Sequence, residues 1–307
     1  MNILITGSRG QLGSELCTAL LLAKNDVGAI PSRYANARVD AVDRSELNIV
    51  DNDAVKSWFA AHGPYDIVFN CAAYTDVDGC ESNEADAYAV NATGVANLAR
   101  ACCLCGAVLV HVSTDYVFSG LEAGARTEVD ECAPISAYGR TKLAGEKLAV
   151  SNNPRTHIVR TAWLYGRTGG NFVRTMMKLG TTYDEVSVVD DQIGNPTNAA
   201  DLAHAMLEIA LSDSFGIWHA TCQGECTWAD FAEAIMDEFG LSCRVLRCST
   251  QQWLNTHPGT AQRPAFSSLD NAKLRYELRV EMRPWRDALK AFAAQCQKER
   301  ECEKGIQ

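Results

Sequence analysis

The first thirteen residues restrict what this chain can fold into more than any other stretch. Met1 to Thr6 is a short apolar run that meets a turn, Gly7-Ser8-Arg9-Gly10-Gln11-Leu12-Gly13, after which a helical pattern continues through Leu22. A strand that passes through a glycine-rich turn straight into a helix opens a βαβ unit. Glycines there keep the turn tight, let backbone approach a pyrophosphate, and leave a helix amino terminus facing the anion. The spacing is GxxGxxG rather than GxGxxG, so the weight of the reading rests on its place at the head of an α/β pattern.

That pattern continues. Val39–Val42 and Asp66–Asn70 read as strands with a crossover helix, Asp53–Ala61, between them. A long helix over Glu84–Cys105 leads to the apolar strand Ala107–Val112, then to a helix opening at Tyr138 and a strand at Ile158–Thr161. Strands alternating with helices predict a Rossmann-like, doubly wound parallel sheet, an α/β fold. Residues 1–165 form the expected dinucleotide-binding domain. Past residue 165 the alternation weakens, and 166–307 reads mainly as a smaller α/β substrate lobe. Its strand Val186–Val189 and helix Ala199–Leu211, within 185–215, are expected to return to the main sheet. Thr227–Phe239 and Pro284–Ala294 are amphipathic helices, and a charged tail from Gln297 is expected to fray.

Composition excludes several classes. With 28 basic and 38 acidic residues the net charge is -10, the wrong sign for a nucleic-acid binder. No apolar run approaches the roughly 20 residues of a membrane helix, and the amino terminus already reads as a strand, so a cytoplasmic enzyme without membrane contact is expected. The 13 cysteines are odd in number and many fall in helix or strand patterns, where cysteine acts as a small buried apolar residue. Cys102 with Cys105, and Cys222 with Cys226, lack the second pair a zinc site needs, and no metal is assigned.

The chemistry concentrates between Ser113 and Lys142. Ser113-Thr114-Asp115-Tyr116-Val117-Phe118 follows the strand Ala107–Val112, which puts its hydroxyls at a strand's carboxyl end, where open α/β sheets bind ligands. Tyr138 and Lys142 stand four apart, on one face of the next helix. A free phenol has a pKa of about 10; a nearby ammonium favours the phenolate and would lower it, fitting Tyr138 for general acid catalysis toward a carbonyl oxygen. Asp43 would accept hydrogen bonds from an adenosine ribose, with Asp40 as its rival, whereas Arg9 and Arg44 would neutralise a 2'-phosphate, so NADH and NADPH both remain open. Asn91 would bond a carbonyl or water near the site, or simply face solvent.

Taken together, GxxGxxG, Ser113–Phe118, Tyr138xxxLys142, the Arg160–Gly166 run RTAWLYG and the Asp191–Thr197 run DQIGNPT resemble the extended short-chain dehydrogenase/reductases, and within them the dTDP-4-dehydrorhamnose reductase family. The resemblance spans nearly the whole chain. It implies reduction of the 4-keto group of dTDP-4-dehydro-L-rhamnose by NADPH or NADH. Tyr138 would protonate the oxygen, Lys142 would hold the nicotinamide ribose and tune the phenol, and Thr114 would orient the carbonyl. Gly7, Gly10, Gln11, Leu12 and Gly13 would line the pyrophosphate, with Asp43, Asn48 and Ile49 near the adenosine and Ala72, Ala73 and Tyr74 along the cofactor. Asn48-Ile49 replaces the Asp and apolar residue usual in the family. Thr75, Tyr116 and Trp163 would face the sugar, Trp163 being equally explicable as a core aromatic, and Asn171, Gln192 and Pro196 would shape the nucleotide end. A homodimer is also implied, and Glu15 falls where relatives place a carboxylate for an intersubunit Mg²⁺. The alternatives are a reductase of another 4-keto-deoxysugar nucleotide and a non-catalytic dinucleotide-binding subunit resembling methionine adenosyltransferase beta.

Overall fold

In β1 (Asn2–Thr6), Ile3 and Ile5 enter one apolar layer and Leu4 another, and all three are fully buried. A strand buried on both faces requires helices on both sides of its sheet. The computed structural model describes the backbone of residues 1–305 and the side chains of residues 1–299. Around β1 it places a six-stranded parallel sheet. In spatial order the strands are β2 (Arg38–Val42), β1, β3 (Ile67–Asn70), β4 (Val108–Thr114), β5 (Thr156–Thr161) and β10 (Gly216–His219). The order turns back beside β1, and the crevice at such a reversal opens at the strands' carboxyl ends.

Three helices cover one face: α2 (Asn52–His62), α5 (Val95–Cys105) and α6 (Ala137–Asn152), which set Val55, Leu98 and Ala149 over Leu4, Val68 and Leu109. The other face is covered by α1 (Gln11–Leu22), α8 (Ala199–Ile209) and α11 (Ala272–Leu278), whose Leu16, Leu202 and Leu274 meet Ile3, Phe69 and Val110. A second core gathers Tyr165, Val173, Phe231, Ile235, Leu289 and Phe292. It joins α7 (Phe172–Thr182), α9 (Trp228–Glu238) and α12 (Trp285–Gly305) to β6 (Leu164–Tyr165) and β7 (Glu185–Val189). The remaining strands are short: β8 (Ile193–Gly194), β9 (Thr197–Asn198), β11 (Cys226–Thr227) and β12 (Arg244–Cys248).

Three expectations are corrected here. First, β7 does not return to the main sheet. It pairs in parallel with β12 as a separate two-stranded ribbon, whereas α8 does pack along α1 and the unforeseen β10 completes the large sheet. The reason is readable in β7 itself: Val186 and Val188 are buried while Glu185 and Ser187 are exposed, the alternation of a strand covered on one face only. Second, the long helix over Glu84–Cys105 is present but not regularly α-helical. α3 (Val77–Ser82) and α4 (Glu84–Tyr88) precede a π-helical turn, Ala89–Gly94, before α5 begins. The turn carries Asn91, whose buried amide accepts from Tyr74 N–H at 2.8 Å and donates to Tyr74 O at 3.1 Å, so π-helical geometry serves a contact across the chain rather than a solvent face. Third, the last helix runs on through Gly305 where fraying was expected from Gln297; Ile306 and Gln307 lie outside the described residues.

No disulfide joins the described cysteines. Cys102 is buried in the main core, and Cys222 and Cys226 in the second. Among the described residues no helix is long and apolar enough to cross a membrane, and no three His, Cys, Asp or Glu side chains cluster as metal ligands.

Candidate active site

A cleft of about 1020 Å³ opens across the carboxyl ends of β1 to β5. At one end its floor is backbone. Gly7 has φ +65°, and a Cβ there would stand 2.7 Å from Ala72 N; one on Gly13 would stand 2.2 Å from Gly7 O. The turn is thus packed against the end of β3 with no room for side chains, and Gly10 begins α1 without a side-chain cap or an acidic residue in the first turn. First-turn N–H groups left this way suit an anion, so the cradle fits a dinucleotide pyrophosphate. Gly7, Gly10, Gln11, Leu12 and Gly13 line it, together with Asp43, Arg44, Asn48, Ile49, Ala72, Ala73, Tyr74 and Thr75. Asp43 follows β2, and its carboxylate takes Arg9 N–H at 3.2 Å and Arg44 N–H at 2.7 Å. The rival Asp40 instead accepts from Tyr65 at 2.7 Å and Arg38 at 3.1 Å, outside this lining. The Arg9 guanidinium pairs with Glu46, which leaves Arg44 as the cleft's arginine at this end.

The reaction groups meet where β4 ends and α6 begins. Ser136 caps α6, accepting from Gly139 N–H at 3.2 Å. Gly139 lets the helix press on the turn after β4, since a Cβ there would fall 2.2 Å from Tyr116 O. Tyr138 is thereby held beside Tyr116 in an edge-to-face contact, with ring centres 5.8 Å apart, and both rings line the cleft with Thr114 and Lys142. Lys142 is buried and donates to Val112 O at 2.6 Å. Below it, Ser113 donates to Glu146 at 2.5 Å, and Glu146 takes both Arg160 nitrogens at 2.9 and 2.7 Å, tying β4, α6 and β5 together under the site.

The expected electrostatics are reversed. Burial first, then the charge of Asp115, push the Tyr138 phenol up, and only the Thr114 hydroxyl pulls it down. Lys142 gives no such help, because its ammonium is turned to the Val112 carbonyl. Burial brings Lys142 itself down to about 8, against the opposing pull of Glu146. The Thr114 hydroxyl donates to Asp115 Oδ1 at 2.9 Å and accepts Tyr116 N–H at 3.2 Å. Asp115, which sequence reasoning passed over inside its own motif, is buried, lines the cleft, and is pushed by burial up to about 7.

The far end is aromatic. Trp163 has φ +46°, a conformation costly for a bulky residue. It is held there by Trp228, stacked with centroids 3.6 Å apart and planes 7° from parallel, and by Gly194, whose missing Cβ would lie 2.5 Å from the indole. Phe172 packs on Trp228 at 4.5 Å, and all three rings line the cleft with Tyr116. Phe172 and Trp228 were unmarked in the sequence. Three expected residues do not join them: Asn171, Gln192 and Pro196 are outside the lining. Asn171 caps α7 and donates to Gln11 Oε1 at 3.0 Å, Gln192 donates to Thr250 at 3.0 Å, and Pro196 is buried. Glu15 takes Arg167 through both oxygens, at 2.7 and 2.9 Å, so a guanidinium already neutralises that carboxylate.

The family model described as RmlD substrate binding domain matches residues 1–298. The chain is similar to the spore coat polysaccharide biosynthesis protein SpsK of Bacillus subtilis, 39% identical over 94% of this chain and 96% of that one. It is 42% identical to a dTDP-4-dehydrorhamnose reductase of Mycobacterium tuberculosis, over 94% and 90% of the two chains. Among solved structures, a dTDP-4-dehydrorhamnose reductase from Bacillus anthracis in complex with NADP superposes with a TM-score of 0.87 at 35% identity, covering 96% of this chain and 99% of that one. The chain therefore belongs to the RmlD substrate binding domain family, on a Rossmann-like fold.

Proposed function

We propose that this protein reduces the 4-keto group of dTDP-4-dehydro-L-rhamnose to give dTDP-L-rhamnose, using NADPH or NADH. The observation that carries the reading is the convergence of Thr114, Tyr138 and Lys142 in one cleft whose other end is a side-chain-free cradle at a helix amino terminus. A dihydronicotinamide held there would supply the hydride for carbon 4. Gln11, Leu12 and Gly13 in the first turn of α1 would give the pyrophosphate its backbone donors, Gly7 and Gly10 would leave room for it, Asp43 and Arg44 would hold the adenosine end, and Ala72 and Ala73 would keep the wall flat. Lys142 would hold the nicotinamide ribose. Tyr138 delivers its proton to the keto oxygen, and Thr114 bonds the same oxygen. A buried phenol pushed upward is a reluctant acid toward water; its proton leaves when an alkoxide develops beside it. Tyr116, Trp163, Phe172 and Trp228 receive the deoxysugar and its nucleotide. Residues 1–165 act as the dinucleotide-binding part and 166–307 mainly as the substrate part. The sequence resemblance supports a cytoplasmic, homodimeric enzyme.

The test is consumption of nicotinamide absorbance when protein, NADPH and dTDP-4-dehydro-L-rhamnose are mixed. Tyr138→Phe is expected to lose about 10² to 10⁴ in turnover while still binding NADPH. No turnover by the unmodified protein with either NADPH or NADH would sink the proposal. Turnover of another 4-keto-deoxysugar nucleotide alone would reassign the substrate.

A further inference from the structure

A threonine hydroxyl has one hydrogen to give and two lone pairs. In Thr114 the hydrogen goes to Asp115 Oδ1 at 2.9 Å, and one lone pair takes Tyr116 N–H at 3.2 Å. Tyr138 stands near enough to compete for that one hydrogen, and while Asp115 holds it Thr114 has nothing to donate to a ketone. Were the hydrogen to swing into the cleft, Asp115 would lose the Thr114 donor while buried and keep only Ser267 and backbone N–H groups beside it, and its Oδ2 already lacks a partner. A charged buried acceptor that loses one of few donors is the costly case.

From this geometry we infer that Asp115 is a positioning residue which sets the direction of the Thr114 hydroxyl, by carrying its own proton into that hydrogen bond when the ketone is bound. A carboxylic acid at Asp115 donates from Oδ1 to Thr114 Oγ1, and the threonine hydrogen is released toward the keto oxygen. No bond to carbon changes in this step; one proton moves from solvent to Asp115 and stays there through the reduction. Burial favours the neutral acid at Asp115, against hydrogen bonds from Ser267, Thr114 and backbone that favour the carboxylate, and among the described residues no cation faces it. Tyr116 lies on its own turn, Tyr138 comes from α6, and Ser267 comes from the segment before α11, its hydroxyl also directed to Ile193 O at 3.4 Å. Arg263 and Asp78 pair with each other beyond Tyr116, and Cys80 lies beyond Tyr138. Among the described residues no lysine or arginine pairs with Asp115 itself. Burial holds its carboxyl up to about 7, and its negative charge raises the Tyr138 phenol, so protonating it also makes Tyr138 a readier acid.

This inference rests on the proposed ketone reduction, and the experiment separates the two. The pH profile of kcat/KM for dTDP-4-dehydro-L-rhamnose is measured for the unmodified protein and for Asp115→Asn, whose amide can donate to Thr114 at every pH. The expected result is a fall in the unmodified protein as pH rises through about 7, approaching tenfold per pH unit. In Asp115→Asn that fall is expected to move up to about 8, where Lys142 titrates, with NADPH affinity unchanged. A purely structural Asp115 would lower activity by the same factor at all pH values. That result, an unmoved fall in the variant, or an unmodified profile flat through 7 would each overturn the inference. Should the variant not fold, infrared spectra of the unmodified protein carrying ¹³C-labelled aspartate provide the second reading. A protonated carboxyl band that disappears with a midpoint near 7 supports the inference, and its absence overturns it. Absence of any turnover by the unmodified protein would instead remove the proposed function.

Discussion

The two ends of the cleft are built by opposite means. The glycine end consists of backbone pressed on backbone: Gly7 against Ala72 and Gly13 against Gly7, from segments short in sequence and fixed by the absence of Cβ atoms. The aromatic end is all side chain: Trp163, Phe172 and Trp228 come from three separate elements and are fixed by stacking on one another. The first cannot accept an added atom but is indifferent to side-chain chemistry. The second is indifferent to small backbone shifts but depends on the area of each ring.

The sharpest way to break that contrast is to add one methyl group. Gly13→Ala would place a Cβ 2.2 Å from a carbonyl oxygen, and backbone on both sides leaves it nowhere to go. Overpacking of this kind costs roughly 1–3 kcal/mol and distorts what lies beside it. The expected outcome is a lowered melting temperature and about a hundredfold weaker NADPH binding by calorimetry. Gly170→Ala is the control: Gly170 also lines the cleft, yet a Cβ there meets nothing within 4 Å, and no change is expected. Equal binding by both variants would show that the cradle does not work by exclusion of Cβ atoms.

At the aromatic end the informative change is removal. Trp228→Ala deletes the ring on which Trp163 lies and releases its φ +46° backbone. Aromatic pairs are worth about 0.5–1.5 kcal/mol beyond the area they bury, so the KM for the dTDP sugar should rise about tenfold while the Kd for NADPH stays within about twofold. Trp228→Phe, which keeps a stacking face, should recover most of the loss. A matching loss of NADPH affinity would mean that the two ends are not separable.

The same contrast explains what could be read from the chain. The glycine end was legible because its constraint is local: a strand, three glycines at fixed spacing and a helix leave little choice, and Ala72, Ala73 and Asp43 follow at strand ends. Tyr138 and Lys142 were legible from helical spacing. Trp228 and Phe172 were not, since each looks like an ordinary apolar position on an amphipathic helix, and only the packing of α7 against α9 brings them to the cleft. β7 was sent to the wrong sheet although its alternation of valine with exposed residues was in plain view. The direction of the Tyr138 shift was beyond sequence, because it depends on which way Lys142 points and on how deeply Asp115 is buried. Asn171 was expected at the nucleotide end and stands behind the lining for a related reason: its cap on α7 and its bond to Gln11 already occupy its amide.

Lys142 sits where the two ends meet, and its titration decides to which it belongs. Burial lowers it to about 8 against the opposing pull of Glu146. An amine lowered in this way is an ammonium below that pH and neutral above it. If it grips the nicotinamide ribose, the ammonium form binds the cofactor better, and affinity must fall as pH rises through about 8. A charge-assisted hydrogen bond exceeds a neutral one by about 1 kcal/mol, or about fivefold in Kd. Calorimetric titration from pH 7 to 9 should show that decline for NADPH and NADH alike. A 2'-phosphate completes its ionisation with a pKa near 6, so a decline shared by NADH cannot come from that group. Lys142→Met should bind more weakly and show no such pH dependence. If affinity for the dTDP sugar titrates near 8 while that for the cofactor stays flat, Lys142 serves the aromatic end and the division drawn here falls at this residue.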